Sequence, residues 1–198
     1  IGVVCVVLII VMADRRRPHE IVIGFTGDVM LGRLVNEVLA TKPPSYPWGD
    51  MLDELKGTDL NIINLETTLT KATQPVLKVF NFKADPAHVA VLTAGRIAVA
   101  SLANNHSLDF DTEGLIETIK TLDAAGIAHV GAGTDHAAAR QAAVLERAGV
   151  RIGIIGFTDN EPGWLARADR GSTMCAWVIR RRCVQTLGHL KRPLTWWW

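Results

Sequence analysis

Cysteine is scarce, three residues in 198, too few for a disulfide framework. Tyrosine occurs once, and aromatic residues make up 6% of the chain. No apolar run reaches the ~20 residues that a membrane-spanning helix needs. The longest, Ile1 to Ala13, stops at Asp14-Arg15-Arg16-Arg17. No segment repeats at a fixed period, so solenoids and arrays are excluded. An excess of one charge is also absent. The 21 lysines and arginines against 20 acids leave a net of +1, which excludes nucleic acid as the expected partner. What is present is 48% hydrophobic and 21% charged residues. That excludes intrinsic disorder and a collagen-like fibre as the main state. The length suits one domain with appendages.

The charge balance is an average of two unlike parts. Residues 1–169 carry 15 lysines and arginines and all 20 acids, a net of −5. Residues 170–198 carry six basic residues, no acid, four of the six tryptophans and two of the three cysteines. This tail has no helical or strand period and ends in Trp196-Trp197-Trp198. Tryptophan has one codon, so the triplet is TGGTGGTGG. Shifted by one frame, with GC-rich codons before it, it reads Ala-Ala-Asp-Leu-Val-Val, an ordinary buried strand. We therefore expect residues 170–198 to be out of their native frame, with a basic, Trp-rich binding tail as the alternative. The chain starts at Ile1, not methionine. Residues 1–17 read as the end of a signal peptide or membrane anchor, or else as a buried strand.

Between them, residues 20–169 alternate strand and helix patterns. Strands are expected at His19–Thr26, Asp59–Asn64, Leu77–Phe82, Ile97–Leu102, Ile127–Val130 and Arg151–Phe157. Helices are expected at Leu31–Ala40, Trp48–Leu55, Pro86–Ala94, Thr112–Ala125 with Thr112 as cap, and Ala137–Ala148. The class is α/β with a mixed or parallel central sheet, in which functional groups collect at the carboxyl ends of strands. Three strands end in polar signatures: Gly27-Asp28, Asn64-Leu65-Glu66 and Asn104-Asn105-His106.

Carboxylates, an asparagine carbonyl and an imidazole form a hard donor set suited to divalent cations and to acid–base work. Two ions ~3.5–4 Å apart can clamp a phosphate and activate water. Glu66 is the candidate bridge, with Asp28 on one ion and Asn105 on the other. His106 would donate to substrate or leaving oxygen, or steady a ligand from behind. Asp109 is either part of that network or a turn residue. Arg33 and Asn64 are the candidates for contacting substrate, Arg33 by binding an anion, with the start of a helix as its alternative reading. Each signature alone also reads as a plain turn or helix lead-in. His19, His88, His129, His136 and His189 show no partner pattern.

The runs Gly27-Asp28-Val29-Met30-Leu31-Gly32-Arg33, Asn64-Leu65-Glu66 and Ser101 to Asp109 (SLANNHSLD) resemble the successive motifs of the CapA family of capsule and poly-γ-glutamate biosynthesis proteins. Gly131-Ala132-Gly133 and Arg151 to Thr158 extend the resemblance over roughly residues 20–163. It implies a calcineurin-like metallophosphatase fold, a sandwich of mixed sheets flanked by helices, of which this chain holds the first part. It also implies two divalent metal ions (Mn, Fe or Zn) on Asp28, Glu66 and Asn105, with His106 catalytic; Asp109, if it belongs to the network, is the second catalytic candidate. The implied setting is a membrane-associated synthesis or export complex on the extracytoplasmic face of the envelope, handling an anionic polymer or a phosphoester. Two departures stand out. Asp111 occupies a place where the family usually has glycine, and the family's downstream His-Trp-Gly and His-Pro-His motifs do not occur. Besides the enzymatic role, a membrane-tethered assembly or polymer-binding subunit and a truncated product without function are the competing expectations.

Overall fold

A computed structural model of the chain describes residues 4–12, 20–158 and 160. The chain begins with β1 (Val4–Met12) and β2 (Ile23–Val29), then α1 (Leu34–Leu39) and α2 (Met51–Lys56). It continues through β3 (Leu60–Leu65) and the short strands β4 (Thr68–Leu69) and β5 (Lys83–Ala84). Next come α3 (Val89–Ala94), β6 (Ile97–Ser101), α4 (Asp111–Ala124) and β7 (Ala128–Val130). It closes with α5 (His136–Ala139), β8 (Ala143–Arg147) and β9 (Val150–Thr158).

Four strands, in the order β2-β3-β6-β7, form a parallel sheet. A second, antiparallel sheet has the order β1-β9-β8, with Val4 opposite Thr158 and Met12 opposite Val150. β3 is buried along its whole length, as an interior parallel strand covered on both faces must be. Its residues divide between two cores. Leu60 and Ile62 pack with Val99, Val130, Val150, Ile152 and Ile154 between the sheets. Ile63 and Leu65 pack with Val91, Leu92, Leu115, Ile119 and Leu122 of the helices. Each such side chain contributes roughly 1.5–3 kcal/mol on burial, so the two layers hold the parallel sheet from both sides. The result is the expected sandwich of sheets flanked by helices.

Several element expectations are corrected. Ala137–Ala148 is not one helix: α5 lasts one turn and β8 follows. The alternating exposure of Ala143–Arg147 and its pairing with β9 override the helix propensity of the alanines. Ala148 and Gly149 both take positive φ, 49° and 77°, the requirement of a tight two-residue hairpin turn. Leu77–Phe82 is a loop, with the short β5 only after it. α4 starts at Asp111 after Phe110, without a side-chain cap, so Thr112 lies inside the first turn. Pro86–His88 is a 3-10 turn leading into α3.

Two expectations fall wholly or partly outside the described residues: the leader or anchor, beyond the strand β1, and the tail at 170–198. No helix among the described residues is long and apolar enough to cross a membrane.

Candidate functional site

The three polar signatures meet because β2, β3 and β6 are adjacent parallel strands. Asp28 lies opposite Asn64, and Asn64 opposite Ser101. The register of β2 slips between Phe25 and Asp28, and Gly27 takes φ 71°. Such a bulge re-aims the following side chain, and Asp28 comes within 2.8 Å of the Asn64 amide. Behind β6, the loop 102–109 packs its Ala103 against Gly131. A Cβ on Gly131 would lie 2.4 Å from the Ala103 Cβ, and its φ is 85°.

A chain of hydrogen bonds with one polarity runs through the site. The His106 backbone N–H donates to Asn104 Oδ1 at 2.9 Å. Asn104 Nδ2 therefore faces the other way and donates to Asn64 Oδ1 at 2.9 Å and to the Leu65 carbonyl at 2.9 Å. The Asn64 Nδ2 then points at the carboxylates, 2.8 Å from Asp28 Oδ1 and 3.0 Å from Glu66 Oε1. A backbone N–H can only donate, so it fixes the orientation of both amides.

The imidazole of His106 is held at its far side. Its Nδ1 donates to Asp109 Oδ2 at 2.6 Å, leaving Nε2 toward Glu66 Oε2 at 3.8 Å. Phe82 stacks on the ring with centroids 4.0 Å apart. Asp109 is fully buried and satisfied by three donors: His106, the Phe82 N–H at 2.6 Å and Lys78 Nζ at 2.9 Å. This places Asp109 in the network, not in a bare turn. Glu66 is held above the usual carboxylate range, first by burial and then by the negative charge of Asp28.

The structure thus brings Asp28, Asn64, Glu66, His106 and Asp109 into one connected array. Asn105 adjoins it, its Oδ1 at 3.5 Å from Asn160 Nδ2. Asn64 is buried, with its amide committed to Asp28, Glu66 and Asn104. Arg33 is exposed and lies 6.0 Å from the Phe80 ring. Lys78, Phe82 and Asn104 were not assigned roles from sequence. Lys78 has one signal, a lone charge inside the apolar stretch Leu77–Phe82.

In kind, the donors suit a divalent cation: two carboxylates forced together against their repulsion, an amide oxygen and an imidazole. In number they fall short. Among the described residues, no three His, Cys, Asp or Glu side chains converge in a metal-holding group. These residues fit one side of a metal centre and require further donors.

A parallel central sheet in a sandwich flanked by helices is the architecture of a truncated metallophosphatase-like α/β fold. The model of the family "Bacterial capsule synthesis protein PGA_cap" matches residues 22–181, and the chain belongs to that family. It is 35% identical over 202 residues to a "Probable polyglutamine synthesis accessory protein" of Mycobacterium tuberculosis, covering 82% of this chain and 52% of the relative. It is 28% identical over 149 residues to "Capsule biosynthesis protein CapA" of Bacillus anthracis, covering 73% and 36%. It is also 28% identical over 139 residues to "PGA biosynthesis protein CapA" of Bacillus subtilis, covering 69% and 37%. The chain spans about half the length, or less, of these relatives.

Proposed function

We propose that the chain serves bacterial capsule or poly-γ-glutamate synthesis, and that its strand-end array is the first half of a divalent-metal site acting on a phosphoester. The observation that carries this reading is the pairing of Asp28 and Glu66 on one amide nitrogen, with an imidazole aimed at the same carboxylate. Two like charges held this close cost stability unless a cation joins them. Asp28, Glu66 and the Asn105 amide would hold the metal, with donors from elsewhere completing it. When bound, such ions supply Lewis acidity and an activated water.

The chain's own residues would do the remaining work. Asp109 keeps a proton on His106 Nδ1, so Nε2 is the atom able to take or give a proton at the open side. Asn64 keeps the two carboxylates from splaying. Burial of Asp109 excludes water from the back of the imidazole. The working place we propose is a membrane-associated synthesis or export complex at the extracytoplasmic face. The family names of the relatives support the synthesis role.

The test is Mn²⁺ titration of the 198-residue chain, followed by calorimetry, with hydrolysis of p-nitrophenyl phosphate as the second readout. Saturable binding, lost in Asp28→Ala and Glu66→Ala, is expected. Neither binding nor turnover, with both variants matching the parent, would overturn the metal reading in favour of a binding subunit.

A further inference from the structure

The loop at 73–82 has one inward-turned charge. Leu77 and Val79 stand fully in solvent, whereas Lys78 between them is only 16% exposed at its side chain. An ammonium is withdrawn from water only where it is paired. Its Nζ donates to Asp109 Oδ1 at 2.9 Å and to the backbone carbonyl of Asn105.

The second bond falls on the peptide unit joining Asn105 to His106. Its carbonyl is held by Lys78, and its N–H donates to Asn104 Oδ1 at 2.9 Å. Both polar ends of that one peptide plane are therefore fixed, and the two side chains it separates are the amide and imidazole of the site. The first bond acts on the same imidazole by another route. With Oδ1 held by Lys78, the Asp109 carboxylate is oriented so that Oδ2 meets His106 Nδ1. Mere charge neutralisation would need only one of these contacts.

We propose that Lys78 is a positioning residue: it fixes the Asn105–His106 peptide and, through Asp109, the direction and tautomer of the His106 ring. This rests on the reading of Asn105 and His106 as functional groups. Lys78 touches neither substrate nor metal in this role.

The test uses the whole 198-residue chain without metal and reads the His106 ring by nitrogen-15 NMR. Wild type is expected to show a single tautomer with a slowly exchanging Nδ1 proton. In Lys78→Met, mixed tautomers and at least about tenfold faster exchange of that proton are expected, the size of one lost charge-assisted bond. Lys78→Arg should restore the wild-type spectrum in part. A Lys78→Met chain that melts cooperatively and keeps the wild-type ring spectrum overturns the proposal. Should Lys78→Met fail to fold, Lys78→Gln, which keeps a donor without the charge, is read by the same criterion. Adding Mn²⁺ to wild type separates the two readings. Absence of paramagnetic broadening at Asp28 and Glu66 sinks the metal site without touching the ring result.

Discussion

Asn104 Nδ2 donates to Asn64 Oδ1 across 2.9 Å, and that bond decides what the carboxylates of the site see. Because the Asn64 oxygen is occupied, its nitrogen faces Asp28 and Glu66. The arrangement makes a directional prediction. In Asn104→Asp the new carboxylate can only accept, so it keeps its donors, the His106 N–H and the Ser107 hydroxyl, but repels the Asn64 oxygen. Asn64 then turns its oxygen toward Asp28 and Glu66. The expected outcome is a loss of about 2–3 kcal/mol in urea unfolding, the size of a broken buried polar network. Asn104→Ser, with a small hydroxyl that can both donate and accept, should lose less. Equal losses in the two variants would refute the polarity argument.

Glu66 carries the cost of a carboxylate buried beside Asp28. Burial, and secondarily Asp28, raise its pKa from 4.5. A raised acid binds its proton more tightly when folded. Its contribution to stability is therefore fully present below pH 4.5 and is lost as pH rises through the folded value. At neutral pH the site is strained by its own charge. Glu66→Gln should stabilise the metal-free chain at neutral pH by about 1 kcal/mol, an ordinary single-site effect, and give little change in acid. Divalent cation should reverse the order, because it stabilises only a chain that binds it. Thermal melts with EDTA and with Mn²⁺ measure both signs.

The strand ends were legible because each polar signature follows a short apolar run, and a parallel sheet gathers such ends on one edge. Gly27-Asp28, Asn64-Leu65-Glu66 and Asn104-Asn105-His106 needed no tertiary knowledge beyond that. β8 was not legible, since Ala143–Arg147 continues an alanine-rich stretch and becomes a strand only by pairing with β9. Lys78 was also hidden. Its role depends on a loop folding back over residues 105–109, and contacts spanning 27 and 31 residues leave no periodic trace in sequence.

Asp111 stands where the resembling family usually has glycine, and its φ is 53°. A side chain in this left-handed region costs roughly 1 kcal/mol. Part of that is offset here, because Asp111 Oδ1 accepts from the Thr112 N–H at 2.7 Å in the first turn of α4. Asp111→Gly removes the strain and the bond together, so it should leave stability equal or raised by up to about 1 kcal/mol. Asp111→Ala keeps the strain and loses the bond, and should fall by about 1 kcal/mol. Denaturant midpoints of the two variants against wild type decide this. Alanine as stable as glycine would mean that φ at this position relaxes freely.

His129 sets a second, opposite pH dependence away from the site. Burial lowers its pKa from 6.5, while Asp123 Oδ1, 3.6 Å from Nε2, pulls the other way. A depressed histidine binds its proton less well when folded. Its stability contribution is present above pH 6.5 and is lost as pH falls through the folded value. The wild-type chain should therefore lose stability on going from about pH 7.5 to about pH 5 by more than His129→Gln does. The comparison cancels the other titrating groups common to both chains. Asp123→Asn supplies the control. Without the opposing carboxylate, the imidazole is depressed further and the acid loss grows. Parallel pH profiles for wild type and His129→Gln would show that burial does not exclude water from the His129 ring.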